Sequence, residues 1–227
     1  MKPPCLMLPG TLCTRQIFAE QEGAIHEIAE SLIHLPLKGS SLGECAEAIL
    51  GLAPQRFALL GFSLGGLVAL EIMRRAPDRV SSLCLIATNP RGSTPQHFEL
   101  WSRWKKEVES GGFEEVVRAH AAGVYTQNAK AASLVTKMAL ELGPSAFTQQ
   151  LNILESRPES LSTLATITCR TLLIVGIQDQ VTPLYLHQEM QRLVPGATLE
   201  TLPNCGHYAP IERPRAVSTL LHDWLQA

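Results

Sequence analysis

Short, nearly unbroken apolar runs alternate along this chain with longer segments whose apolar residues recur at helical spacing. The runs predict strands at residues 5–8, 31–35, 56–60, 80–86, 171–175 and 197–202, and the amphipathic segments predict helices at 42–50, 64–75, 184–193 and 214–226. Several runs (FALL, LCLIA, LLIV) are apolar at every position, as expected of strands covered on both faces. The pattern is that of an α/β protein: a mostly parallel sheet of six or seven strands with crossover helices on both sides.

The alternation breaks between residues 91 and 160. That stretch has no strand-like run, but Phe98/Trp101/Val108, Phe113/Val116/Val117/Val124, Leu134/Val135/Met138/Leu142 and Phe147/Leu151/Leu154 recur near helical spacing. It reads as three or four helices inserted between two strands, forming a small cap over the strand ends. The expected organisation is therefore a core of residues 1–90 and 161–227 with a helical cap at 91–160.

Composition narrows the partners. Hydrophobic residues make up 45% of the 227, charged residues 18%, and the net charge is −2. No Lys/Arg run is present, which argues against nucleic acid and for a small-molecule partner. The six cysteines are scattered, without CxxC pairs or zinc-type spacing, and read as reduced thiols; neither a metal nor an organic cofactor is expected. Two prolines interrupt the amino terminus where a signal peptide needs an apolar core, and no apolar run approaches the roughly 20 residues that span a bilayer, so a cytoplasmic protein is expected.

The sharpest local signal is Gly61-Phe62-Ser63-Leu64-Gly65-Gly66, between a predicted strand and a predicted helix. A serine held in a tight strand-to-helix turn brings neighbouring backbone close, so the positions two either side must lack bulk. Ser63 would then stand at a helix amino terminus, with the Leu64 N–H placed to hold an oxyanion. A serine hydroxyl needs a base, and the base an orienting acid. Of the seven histidines, only His207 falls in a loop after a strand. Of the three aspartates, Asp78 and Asp223 fit surface turns or helix, whereas Asp179 follows the apolar run TLLIV, beyond a strand's carboxyl end where ligand sites gather.

A second oxyanion donor is expected from the loop after the first strand, where Gly10 permits a sharp turn and the amide of Thr11, or of Leu12, would face the same oxygen. Among the cap aromatics, Trp101, Trp104 and Tyr125 are candidate substrate contacts, implying a mostly apolar acyl or alcohol group. Arg157 and Arg91 are candidates for binding a substrate carboxylate, and Cys13 and Cys205, near the predicted loops, read as buried packing residues.

With these residues placed, the chain resembles the α/β-hydrolase superfamily over nearly its whole length, in particular its small carboxylesterases and thioesterases of the pimeloyl-carrier-protein methyl esterase kind. The segment LPGTLCTRQIF resembles the oxyanion loop, GFSLGG the nucleophile elbow, GIQDQVTP the acid loop and GHYAPIERP the histidine loop. The resemblance implies the α/β-hydrolase fold, Ser63 as nucleophile, His207 as general base and acid, Asp179 as its orienter, and Thr11 with Leu64 as oxyanion donors. Two features depart from it: Pro9 stands where many relatives have histidine, and the usual amino-terminal hairpin is not evident, which is why fewer than eight strands are expected. Relatives with the same triad include C–C bond hydrolases, a lyase and cofactor-free haloperoxidases, and a receptor that retains the pocket without turnover is a further alternative.

Overall fold

The strands occur where the apolar runs predict them: β1 (Cys5–Leu8), β2 (Leu32–His34), β3 (Phe57–Phe62), β4 (Val80–Ile86), β5 (Arg170–Gly176) and β6 (Thr198–Leu202). The computed structural model describes residues 4–26, 28–30, 32–121 and 128–226. All six strands pair in parallel, in the order β2-β1-β3-β4-β5-β6. The helices are α1 (Ala19–Ile25), α2 (Leu42–Leu52), α3 (Leu64–Arg75), α4 (Pro95–Glu109), α5 (Phe113–Ala121), α6 (Ala129–Glu155), α7 (Leu161–Leu164), α8 (Leu184–Leu193), α9 (Ala209–Glu212) and α10 (Pro214–Gln226).

Strand periodicity divides the interior in two. Cys5 and Met7 of β1, Ala58, Leu60 and Phe62 of β3, and Leu172 and Ile174 of β5 face one core, closed by Ile25 of α1 and by Val217, Leu221 and Trp224 of α10. Leu6 and Leu8, Phe57 and Leu59, and Leu173 face the other, closed by Ile49 of α2, Val68 and Ile72 of α3, and Met190 of α8. This two-sided burial explains why the runs carry no polar alternation. Cutting Ile174, fully buried in the centre of β5, to Ala would cost about 2–5 kcal/mol.

The region between β4 and β5 is helical. Helices α4, α5 and α6 make a third apolar cluster of their own, with Trp101, Phe113, Val116, Val117, Ala139, Phe147 and Leu151, joined by Leu12 from the core. Helix α6 is broken at Gly143, whose φ of 79° is non-helical and precedes Pro144. Proline at that point cannot accept the regular turn, so the long element is two helices meeting at a kink.

Strand order also locates the crevice. From β1 the chain crosses outward to β2, and from β3 it crosses in the opposite sense to β4. The connections leaving β1 and β3 therefore splay apart between two adjacent strands, which opens a cleft at their carboxyl ends. The Gly10 loop follows β1 and Ser63 follows β3, so both flank this cleft.

Candidate active site

Ser63 is the single residue between β3 and α3, with φ 51° and ψ −113°. A non-glycine side chain in that region costs of order 1–3 kcal/mol and persists only where its surroundings over-determine it. Here they do. The Ser63 N–H donates to the Ile86 carbonyl at 2.9 Å, and the Thr88 hydroxyl donates to the Ser63 carbonyl at 2.8 Å. A Cβ at Gly61 would collide with the Gly65 carbonyl, and one at Gly65 with the Leu8 carbonyl, so the turn closes only with glycine at both.

The strained turn leaves the Ser63 hydroxyl facing His207: Oγ lies 3.0 Å from Nε2. The other ring nitrogen, Nδ1, is 2.9 Å from Oδ2 of Asp179. Asp179 sits in the loop after β5, and its carboxylate accepts from the Val181 and Thr182 amides at 2.8 and 2.9 Å and from the Thr182 hydroxyl at 2.7 Å. Burial alone would raise this carboxyl, but the charge and hydrogen bond of His207 and the Thr182 donors outweigh it and hold Asp179 well below the usual carboxylate range. An ionised Asp179 accepts the Nδ1–H, which leaves Nε2 with the lone pair that faces the Ser63 hydroxyl.

The loop carrying His207 is fixed by side chains that local sequence patterns do not reveal. Glu212 of α9 accepts from the Gly206 and Tyr208 amides, and Gln178 accepts from the Cys205 amide at 2.9 Å. Behind Ser63, the Thr88 amide donates to Nε2 of His187 at 3.2 Å. His187 is fully buried on α8, and burial pushes its pKa down to about 4, which keeps Nε2 an acceptor.

In the loop after β1, Leu12 has φ 56°, and its N–H donates to Oε1 of Gln150 on α6 at 2.8 Å. The Leu12 amide is thus engaged. The Thr11 amide meets no acceptor among the described residues, and Thr11 lines the same cavity as Ser63. Leu64, which also lines it, opens α3, where the first-turn N–H groups have no intrahelical acceptor.

The cavity over Ser63 measures about 250 Å³. Trp101, Trp104, His120 and Arg157 contribute to its wall from the helical region and the segment just after it, together with Ser63 and His207. Both tryptophans proposed from sequence thus reach the site, whereas Tyr125 lies outside the described residues. Phe147 is packed inside the third core and Phe98 is exposed. Arg91 is not at the cavity: its guanidinium forms a two-pronged pair with Glu189 at 2.9 and 2.7 Å, because the loop after β4 carries it outward to α8. Cys13 and Cys205 are buried, and burial pushes both thiols up to about 12. Among the described residues, no group of three or more His, Cys, Asp or Glu side chains stands in a metal-binding arrangement, and no helix is long and apolar enough to cross a membrane.

Comparison with known proteins agrees with this architecture. The pimeloyl-[acyl-carrier protein] methyl ester esterase of Aliivibrio salmonicida (strain LFI1238) is 30% identical over 204 residues, covering 84% of this chain and 76% of that protein. A thermophilic esterase from Thermogutta terrifontis superposes with a TM-score of 0.88 over 99% of this chain and 89% of its own, at 23% identity. The enol-lactonase from Burkholderia xenovorans LB400 gives 0.88 over 100% and 92%, at 18% identity. At such identities the two structures speak to the fold, while the model of the "Alpha/beta hydrolase family" matches residues 29–220 of the sequence itself. With most of its length matched in this way, the chain belongs to the alpha/beta hydrolase family.

Proposed function

We propose that this protein is a serine hydrolase that cleaves a carboxylic ester or thioester of small to medium, mostly apolar character through an acyl-enzyme on Ser63. The observation that carries this reading is the continuous hydrogen-bonded chain from Ser63 Oγ through His207 to Asp179, opening into a cavity of about 250 Å³. The esterase name of the Aliivibrio salmonicida relative points to the same bond.

In this mechanism Ser63 Oγ attacks the substrate carbonyl as His207 Nε2 takes its proton. Asp179 stabilises the imidazolium and keeps the ring oriented. The tetrahedral oxygen is held by the Thr11 and Leu64 amides, which carry charge at no reorganisation cost because the backbone is already fixed. His207 then returns the proton to the leaving alcohol or thiol. Water, deprotonated by the same nitrogen, attacks the acyl-Ser63 ester, and collapse regenerates the hydroxyl and releases the acid.

The test is Ser63→Ala. Hydrolysis of p-nitrophenyl butyrate should fall by about 10⁴-fold or more, and labelling by a fluorophosphonate should vanish, with thermal unfolding still cooperative. Activity and labelling that survive in the variant overturn the assignment.

A further inference from the structure

Arg157 lines the cavity and is a permanent cation that the proposed chemistry does not use. It follows α6, with its main-chain N–H directed to the Leu154 carbonyl at 3.4 Å, and its side chain reaches the cavity that also contains Ser63 and His207. The guanidinium carbon lies 5.5 Å from the centroid of Trp101, and Nη2 lies 3.3 Å from Nδ1 of His97. Its Nε is fully buried and meets no acceptor among the described residues.

Five other arginines are treated differently. Arg74, Arg75, Arg91 and Arg118 each meet a glutamate, and Arg79 is ringed by the carbonyls of Leu50, Ala53, Pro54 and Gln55. Arg157 meets no carboxylate among the described residues. A desolvated guanidinium without a counter-ion is costly, and it is retained at a ligand site chiefly where the ligand supplies the anion. Burial pulls its pKa down to about 10, so the group still carries its charge at neutral pH.

The neighbouring histidines fix how much charge the ligand brings. His97 accepts the Thr94 amide at Nδ1, 3.1 Å away, and burial together with Arg157 lowers its pKa. His120 is pushed down to about 3 by burial and by His207. Neither adds positive charge near neutrality. One planar cation with paired donors, lying over an indole, matches one carboxylate; a phosphate monoester dianion would leave a charge uncompensated in the same wall.

We propose that Arg157 is a specificity-determining residue that receives a free carboxylate of the substrate, so that the preferred substrates are acidic esters in which a second carboxyl group is left unesterified. Such half-esters of short dicarboxylic acids place the scissile carbonyl at Ser63 and the carboxylate at Arg157. The inference rests on the serine hydrolase reading, and binding separates the two.

The experiment is calorimetric titration of the Ser63→Ala protein with the monomethyl and dimethyl esters of malonate, succinate, glutarate and adipate, and with inorganic phosphate. At one or more chain lengths the monoanion should bind about 10–100-fold more tightly than the diester, and phosphate should bind more weakly than that monoanion. Adding Arg157→Gln should erase the difference, and Arg157→Lys should restore part of it, which loss of packing alone does not do. In the Ser63-containing protein, Arg157→Gln should lower the kcat/KM ratio of half-ester over diester by the same factor. Equal binding of monoanion and diester at every length, tighter binding of phosphate, or a ratio untouched by Arg157→Gln overturns the inference and leaves the esterase reading standing. Diesters hydrolysed equally by the Ser63→Ala protein overturn the esterase reading instead.

Discussion

Glu212 grips the backbone on both sides of His207: Oε2 accepts from the Gly206 N–H at 2.9 Å and Oε1 from the Tyr208 N–H at 3.1 Å. A single carboxylate thereby sets the position of an imidazole it never touches. Glu212→Ala strips both acceptors and leaves two amides in a poorly solvated loop, at about 1–3 kcal/mol each. Activity on p-nitrophenyl butyrate should fall about 10–100-fold in kcat with little change in KM, since a small misplacement of the proposed base affects the transition state more than binding. Glu212→Gln, which keeps one acceptor oxygen, should recover part of the loss. A KM effect without a kcat effect would count against a positioning role.

Gln150 ties the loop after β1 to α6 through the Leu12 amide. Gln150→Leu fills the same space but frees that buried N–H, and the adjoining Thr11 amide loses its fixed direction. An expected kcat loss of about 10-fold follows from weakening one donor of the proposed oxyanion pair. Thermal melting should fall by only a few degrees, and a large melting shift without a kcat change would show the bond to be merely structural.

Thr88→Val tests the strained turn. The substitution keeps the shape while removing the hydroxyl that donates to the Ser63 carbonyl. Loss of about 1 kcal/mol should lower the melting temperature by about 2–4 °C in a chain of this size, as read by calorimetry. If the carbonyl of Ser63 needs this anchor, fluorophosphonate labelling should slow as well.

Acid should destabilise the protein before its carboxylates protonate. The His187 pKa is depressed from 6.5 to about 4, chiefly by burial, so between those values the unfolded chain binds a proton that the folded chain does not. Stability conferred by the neutral ring is therefore complete above pH 6.5 and declines as pH falls, until the folded group titrates near pH 4. The loss is about 3 kcal/mol at most from this group. His120, depressed to about 3, adds to it in the same direction. Urea midpoints measured from pH 7 to pH 4 should drop in the parent and drop less in His187→Gln. A midpoint that does not move over this range contradicts the buried neutral ring.

Some of this was legible from sequence and some was not, for reasons that differ by residue. β1, β4, α3, α8 and α10 have the ends that the pattern predicts, because apolar runs and turn residues coincide there. β3 runs on to Phe62, beyond the expected end at 60, because pairing with β4 continues up to the Ser63 turn. Helix α1 was expected near His26 but its bounds were not readable: Gln21 interrupts its apolar stripe, yet it is fully buried, with its amide donating to the Pro210 and Pro214 carbonyls. Sequence left Thr11 and Leu12 as alternatives because Gln150, the acceptor that engages the Leu12 amide, stands 138 residues away. Glu212, Gln178 and Thr88 escaped for a related reason: their partners are main-chain atoms assembled by the fold. Ser63, His207 and Asp179 were readable because each follows a strand, where parallel sheets gather their loops at one rim.

The broken helix α6 has an architectural consequence. Before the kink it lends Val135 and Met138 to the core on one face of the sheet; after it, Phe147 and Leu151 belong to the third cluster, and Ile153 reaches the core on the opposite face. A single element is thus moored in three separate interiors, and the bend at Gly143 and Pro144 lets it wrap from one to the next. Residues 91–160 are accordingly no detachable module: excising them would strip apolar cover from both sides of the sheet, and the shortened chain should aggregate instead of surviving as a smaller hydrolase.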